Sequence, residues 1–423
     1  MRPPLPPAPE ISMKAPADSA VLPAHARLVA RDDVWLEGNA VQQLARVAAL
    51  PGCVRAVGMP DLHAGRGIPI GAAFAFADRV VPALIGGDAG CGVRLVATSI
   101  GRMAPDVLER RARQAMDDEP LAECDPRAVF ERVWERGARG FAEVDGAPEA
   151  LARLAAAEPE DGLRPSGDAS PYRAGYEGAL GSVGGGNHFL EVARVGALRD
   201  PAAAKALGLS AGELVVVAHS GSRGLGGALG QRWGGAVLEG DAAEPYLGEL
   251  AGACRFARAN RLLLAYRMLR ALGASRASTI TGGLDLTHND VAREAVGGEL
   301  AWVHRKGAAP ARGSDFTVVL GSRGAPSWVM RSCDAEAGLR SVAHGAGRKM
   351  GRSEAREKIA ARYRRRELAR TELGGRVVCD DPALLLEEHP DAYKPIEPVI
   401  ESLVEAGLAT PVAPLVPVLT VKR

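Results

Sequence analysis

The sequence predicts an α+β fold, and three observations lead there. Strand-like and helix-like runs are both present, yet they do not alternate as regular βαβ units, and no period marks a repeat array. Hydrophobic residues make up 47% of the 423 and aromatics only 4%, so a sizeable core is available but must rest on Ala, Val and Leu. Finally, strands run straight into glycine-rich loops, and those loops carry the histidines.

Taken in chain order, residues 1–24 have the Pro/Ala-rich composition of a flexible tail, and a single folded unit is expected over 25–423. "PDVLERRARQAMDDE" and "PEALARLAAAE", between 103 and 160, have helical spacing with charges on the outer face. "EPEDGLRPSGDASPY" (158–172) is a loop by composition. "ELVVVAH" (213–219), "LAWVH" (300–304) and "FTVVL" (316–320) read as strands. Helices are expected at about 242–272 and 352–372, and the closing "TPVAPLVPVLTVKR" reads as extended.

The 52 basic and 51 acidic residues nearly cancel, which excludes a globally basic nucleic-acid binder but leaves room for local patches. Six cysteines (53, 91, 124, 254, 333, 379) form no CxxC pair and no disulfide-like spacing, as suits a reducing compartment. The N-terminus has no apolar signal-peptide region, and no run approaches the ~18 apolar residues of a membrane span. The expectation is a soluble cytoplasmic protein with no membrane partner.

The chemistry concentrates in short polar motifs. Six of the eight histidines, 63, 188, 219, 288, 304 and 344, stand in Gly-rich, Asn-bearing or basic contexts. A lone histidine is most often a satisfied core or surface residue, but six such contexts together point to a site. In "IGGDAGCGVRL", Cys91 is set among Gly86, Gly87, Gly90 and Gly92, three residues after Asp88. That is either a tight turn holding an inert thiol or a thiolate presented to a ligand that needs room. Asp88, Cys91, His188, His219 and His288 form an O/S/N donor set for one or two transition metals, and such a set favours zinc as readily as manganese. "HSGSRG", "GSRGAPS" and "HGAGR" pair glycine-rich backbone with Arg223, Arg323 and Arg348, donors suited to phosphate oxygens. His344, among small neighbours in "SVAHGAGR", has the access a covalent nucleophile needs.

In order, "GMPDLHAGRGIPIG", "IGGDAGCGVR", "GGGNHFLE", "HSGSRGLG", "THND", "HRKGAA", "GSRGAPS", "HGAGRKM" and the terminal "VKR" resemble the motifs of the RtcB family of RNA ligases, from about residue 55 to 422. The resemblance implies a single large irregular domain, β-sheets flanked by helices, with a metal and GTP site at the Gly-rich loops. It also implies GTP- and manganese-dependent joining of an RNA 3′-phosphate or 2′,3′-cyclic phosphate end to a 5′-hydroxyl end, in tRNA splicing or RNA repair. Carried onto this chain, Cys91 would bridge two Mn²⁺ ions, with Asp88 and His188 at one and His219 and His288 at the other. His344 would attack the GTP α-phosphorus and become guanylylated, with Asp61 orienting its imidazole. Asn187, Glu191, Asn289, Ser327, Lys422 and the Gly345, Ala346, Gly347 backbone would hold the guanylate. Arg223, Arg323, Arg348 and Arg352 would meet RNA or phosphate. On this reading the glycines around Cys91 let metals and a triphosphate approach the backbone. Some members of the family depend on a small activating partner, archease. The chain departs from the family pattern at Leu320, where proline is common, at Trp328, where tyrosine is, and at Gly351, where serine is.

Two Arg-rich helical runs, 255–270 and 356–370, are further candidates for RNA contact, against the alternative of solvated faces. Two competing functions use the same residues. A dinuclear metal phosphoesterase would need the metal ligands but neither "HGAGR" nor Lys422. A specialised RNA-repair paralog would act through a partner.

Overall fold

Two β-sheets packed face to face carry the molecule, with helices on both outer surfaces. The computed structural model describes residues 21–313 and 315–423, so most of the expected N-terminal tail lies outside the described residues. The smaller sheet orders its five strands as Ala26–Leu28, Cys53–His63, Ile70–Phe76, Glu299–Lys306 and Asn289–Val296. The larger runs Phe316–Val319, Ser327–Ser332, Ala409–Lys422, Phe189–Val195, Leu214–Ser220, Gly92–Thr98 and Ile280–Thr287, with Arg376–Cys379 added in parallel beside the C-terminal strand. Pairing is otherwise antiparallel, apart from the parallel first pair of the small sheet.

Val57, Met59, Ala73 and Val303 of the small sheet meet Val93, Leu95, Val215 and Val217 of the large one in the main core. Small aliphatic side chains on the alternating inner faces fill most of this interface, with Phe189 the one buried aromatic in the cluster. Helix Gly38–Ala48 covers the outside of the small sheet through Ala40, Leu44 and Val47. The 29-residue helix Glu244–Leu272 covers the outside of the large sheet, where Leu264, Ala265 and Met268 pack on Val192, Val216 and Ala218. The expected α+β class is therefore the observed one.

The expected strands at 213–219, 300–304 and 316–320 appear as Leu214–Ser220, Glu299–Lys306 and Phe316–Val319. The C-terminal run is a 14-residue strand in the middle of the large sheet despite Pro411, Pro414 and Pro417. Its pairing shifts register opposite Val329/Met330 and again between Pro417 and Leu419, the bulges that let proline sit inside a sheet. The expected helix at 352–372 is instead two pieces, Arg352–Arg362 and Arg365–Leu368. Tyr363 breaks it: its hydroxyl donates to Asp391 (2.9 Å) and its ring lies 4.3 Å from that of His389, which pulls the backbone into an extended conformation.

The other Arg-rich run overturns an expectation. Arg255, Arg261 and Arg267 on the long helix are buried and spend their donors on the protein itself. Arg255 closes the irregular segment 159–169 by binding Asp161, Ser166 and the Leu163 and Arg164 carbonyls. Arg267 binds the carbonyls of Ala115, Met116 and Gly181. Arg261, fully enclosed, donates to both Asp285 oxygens (2.9 and 2.7 Å) and to the carbonyls of Gly90 and Ser220 (2.9 and 3.0 Å). This helix is a structural spine, not an RNA-facing surface. Among the described residues, no helix is long and apolar enough to cross a membrane.

Truncating Arg261 takes the two-pronged partner from the buried Asp285 carboxylate and leaves it Arg94 at 3.2 Å and Arg258 at 3.9 Å. Arg261→Ala is expected to lower stability by about 3–5 kcal/mol in urea denaturation, and Arg261→Lys, with no planar fork, to recover only part. A loss under ~1 kcal/mol would show that Arg94, 3.2 Å from Asp285, suffices alone.

Candidate active site

The candidate groups sit where strands end, in the large sheet and, for His344, in a separate two-stranded sheet of Ala308–Pro310 and Ser341–Ala343. Cys91 precedes Gly92–Thr98, His188 precedes Phe189–Val195, His219 lies near the end of Leu214–Ser220, and His344 follows Ser341–Ala343. His288 is the residue at which the chain leaves the large sheet, after Thr287, and enters the small one at Asn289. Rigid strand ends thus place side chains that are far apart in sequence.

Cys91 Sγ lies 3.3 Å from His188 Nε2 and 3.4 Å from His219 Nε2, and the His219 and His288 Nε2 atoms are 3.3 Å apart. Asp88 Oδ1 is 3.8 Å from His188 Nε2. Two triads with the spacing to hold a metal ion result, Asp88–Cys91–His188 and Cys91–His219–His288, with the thiol common to both. The rings are pre-oriented from behind: the Asn187 carbonyl is 3.2 Å from His219 Nδ1, and Arg223 Nη1 is 3.1 Å from His188 Nδ1. Burial holds His188 down at about 4 and His219 and His288 well below the usual imidazole range, so all three are neutral ligands. Burial, with Asp88 beside it, pushes the Cys91 thiol well up. A thiolate in that position needs a cation against it, so the donor set fits a pair of divalent ions.

Only part of the glycine pattern serves ligand access. Gly86 and Gly87 line the cavity described below. Gly90, at φ +75°, is pressed on the long helix, where a Cβ would come 3.0 Å from Ala257 Cβ and Cys254 Cα; at Gly92 it would overlap the Leu286 carbonyl oxygen. The expectation that all four open the backbone to ligands is thus corrected: two seat the Cys91 loop on the protein.

Next to the metal donors opens a cavity of about 930 Å³. Its wall includes Asp88, His219 and His288 of the donor set, then His344 with the Gly345, Ala346 and Gly347 backbone, and Asn187, Glu191, Asn289, Arg323, Arg348, Arg352 and Lys422. His344 Nδ1 lies 2.7 Å from Asp61 Oδ2, and that same oxygen accepts the His344 and Gly345 backbone N–H groups (3.2 and 3.3 Å). Asp61 itself is fully buried behind the ring. The rings of His344 and His288 are 4.8 Å apart, so the two groups share one wall. The Leu320 N–H donates to the His344 carbonyl (2.9 Å), a bond that a proline at 320 would forgo.

Not every expected contact faces the cavity. Ser327 is turned away, its hydroxyl accepting the Gly321 N–H (3.0 Å), and Arg223 faces a separate cleft on the far side of His188. Asn289 braces Asp88, donating to its backbone and side-chain oxygens (2.9 and 3.1 Å). Arg348 is tied to Glu388 (3.0 Å) and to the Glu387 carbonyl (2.8 Å). Glu191 accepts from Thr420 with one oxygen, leaves the other unpaired, and is raised to about 8 by burial.

Sequence reasoning missed several groups here. Glu388, almost fully buried, joins Arg348, Lys422 (3.5 Å) and the Tyr393 hydroxyl under the cavity. Lys394 donates to the carbonyls of Pro60 and Leu62 (3.0 and 2.8 Å), on either side of Asp61. Lys306, bound to the Ile85 carbonyl, also lines the cavity, as does His63, one of the six histidines the sequence singled out. "HRKGAA" and "MPDLHAG" held the signal for these last two, but "EEHPDAYK" carries none for Glu388 or Lys394. His304, by contrast, is core: fully buried, its Nε2 accepts the Val81 N–H (2.9 Å).

Comparison with known proteins follows the same lines. The family model for tRNA-splicing ligase RtcB matches residues 43–239 and 234–423. The chain is 40% identical over 401 residues to the RNA-splicing ligase RtcB2 of Escherichia coli, covering 93% of this chain and 95% of that protein. It is 34% identical over 439 residues to the RNA-splicing ligase RtcB of Mycobacterium tuberculosis (90% and 100% covered). To the tRNA-splicing ligase RtcB of Archaeoglobus fulgidus it is 29% identical over 443 residues (90% of each). With a family match over nearly the whole described chain, this protein belongs to the RtcB family of RNA-splicing ligases.

Proposed function

We propose that this chain joins RNA 3′-phosphate or 2′,3′-cyclic phosphate ends to 5′-hydroxyl ends with GTP as the guanylyl donor, in tRNA splicing or RNA repair. The observation that carries the reading is the His344–Asp61 pair, 2.7 Å apart on the wall that also holds the metal donors. With Nδ1 against the carboxylate, Nε2 is the nitrogen left for attack. A P–N bond forms between Nε2 and the GTP α-phosphorus while the bond to pyrophosphate breaks, and Asp61 balances the charge that develops on the ring. A 2′,3′-cyclic end is first opened by water, which breaks the bond to O2′ and leaves a 3′-phosphate; an oxygen of that phosphate then takes the GMP as the P–N bond to His344 breaks. Attack by the 5′-hydroxyl on that activated phosphate forms the new phosphodiester and releases GMP.

Two Mn²⁺ ions would sit on Asp88, Cys91, His188, His219 and His288, and bound there they would supply positive charge to phosphoryl oxygens. The donor chemistry suits zinc equally, and manganese comes from the family resemblance. Lys422, held by the Gly186 and His188 carbonyls, and the unpaired oxygen of Glu191 offer a donor and an acceptor for the guanylate. Six free thiols, with no disulfide, suit the reducing cytoplasm.

Purified protein with Mn²⁺ and α-³²P-GTP should acquire an acid-labile label that His344→Ala lacks. No label on the wild type, with metal bound and an archease-type activator added, would point to the phosphoesterase reading instead. Cys91→Ser removes the donor common to both triads; metal content measured by mass spectrometry should fall by about half or more and ligation by at least ~100-fold. Full metal content with full ligation would refute the bridging role. Gly307 packs on the nucleophile: at φ +60°, a Cβ would come 2.9 Å from His344 Cε1 and 2.6 Å from Ile70 Cγ2. Gly307→Ala should therefore slow guanylylation by ~10-fold or more while lowering stability by only about 1–2 kcal/mol. Unchanged labelling would mean that the ring is not held where attack requires.

A further inference from the structure

We infer that the arginine ridge running from the cavity mouth along Arg352–Arg362 to Arg365–Leu368 is the track for an RNA strand, held by its phosphates. This rests on the ligase reading above and says where the polymer lies outside the cavity. The chain is near neutral, at +1, yet residues 348–370 hold ten basic against three acidic residues. The structure separates nine of those ten, all but Lys349, by what they already do. Arg348, Arg352, Arg356, Lys358 and Arg362 each have a carboxylate partner, in Glu388, Glu387, Glu387, Glu354 and Asp391. Among the described residues, no carboxylate lies within 4.0 Å of the side chains of Arg364, Arg365, Arg366 or Arg370, and all four are exposed.

A charge run on a solvated helix is ordinarily laced with its own acids. Here the pairing, from Glu354 within the helix and from Glu387 and Asp391 beside it, reaches Arg362 and stops where Tyr363 breaks the helix. Beyond the break, Arg365, Arg366 and Arg370 line a groove of about 610 Å³. The carboxylates facing that groove, Asp106 and Glu109, are taken by Arg376 and Arg113. The ridge is continuous with the reaction site. Arg352 lines the cavity, its guanidinium 2.7 Å from where a Cβ of Gly186 would stand, and Glu387 fastens it and Arg356 to the neighbouring helix Pro382–Glu387. Eleven helical residues span ~16 Å, about five steps of a stacked strand, so a strand with its end at His344 passes the free arginines. Guanidinium groups without base-reading partners bind backbone rather than sequence.

The test is anisotropy of a short fluorescein-labelled single-stranded RNA bearing a 3′-phosphate, titrated at several salt concentrations. The variants are R364E/R365E/R366E and, as a control elsewhere on the surface, R127E/R132E/R136E. On the ridge, reversal should weaken binding by ~10-fold or more and reduce the salt slope by about 2, while guanylylation of His344 from GTP stays at the wild-type level. The control triple should bind within ~3-fold of wild type. Ridge and wild-type proteins binding alike would overturn this inference and leave the ligase reading standing. Equal losses from both triples would overturn it too, as an effect of net charge alone. A wild type that takes label from GTP yet binds no RNA would overturn the RNA reading as well.

Discussion

One enclosed guanidinium holds the metal-donor loops in register. Arg261 reaches from the long helix through the end of the large sheet, and its donors end on Asp285, Gly90 O and Ser220 O. Those three residues flank or adjoin Cys91, His219 and His288. Its neighbour Asn260, equally buried, takes the Gly181 N–H and donates to Ser182 O and Ser220 Oγ, which fixes the loop leading to His188. An ammonium could not replace this: only a planar fork with five N–H groups satisfies a carboxylate and two carbonyls at once. Buried ion pairs add little net stability, so the gain here is in position. Three donor-bearing segments cannot drift apart without stranding a charge.

The seam between the sheets explains why the clustered donors and the His344–Asp61 pair can stand side by side. His288 stands where the chain crosses from one sheet to the other, so its imidazole faces Cys91 and His219 on one side and the His344 ring on the other. Burial keeps the ligating imidazoles neutral, while Asp61, reached only from the small sheet, meets His344 from behind. Strand ends of the large sheet thus supply neutral imidazoles, and an inner strand of the small sheet supplies an anion.

Much of this was legible because local pattern and tertiary role coincide. β-branched runs at 214–220, 299–306 and 316–319 are strands, and Cys91, His188, His219, His288 and His344 sit in polar or glycine-bearing contexts that mark a site when read together. The rest depends on burial, which sequence does not display. Glu388 and Lys394 look like any solvated charges, yet each is nearly enclosed and bonded to the backbone or side chains of the site. The spine at 255–270 misleads for the same reason, because its arginines point inward to carbonyls that sequence cannot pair with them. Glycine misled at Gly90 and Gly92, where closeness to a helix and a strand leaves the same mark as closeness to a ligand.

The buried lysines show how a near-neutral chain prepares a site for polyanions. Lys394 and Lys306 are bound by main-chain carbonyls and Lys422 by two carbonyls, with Glu388 at 3.5 Å. A carbonyl satisfies an ammonium's hydrogens without cancelling its charge. Desolvation is consequently felt: Lys394 is drawn down to about 8, and Lys306 and Lys422 lie below the ordinary lysine value. A cation whose folded pKa is depressed destabilises the native state while it stays charged, and that penalty fades as pH rises from about 8 toward the unfolded value near 10.5. Of the three, Lys306 and Lys422 line the cavity, where an anion set against them would favour their charged form, whereas Lys394 stands behind Asp61 and acts on the carboxylate there.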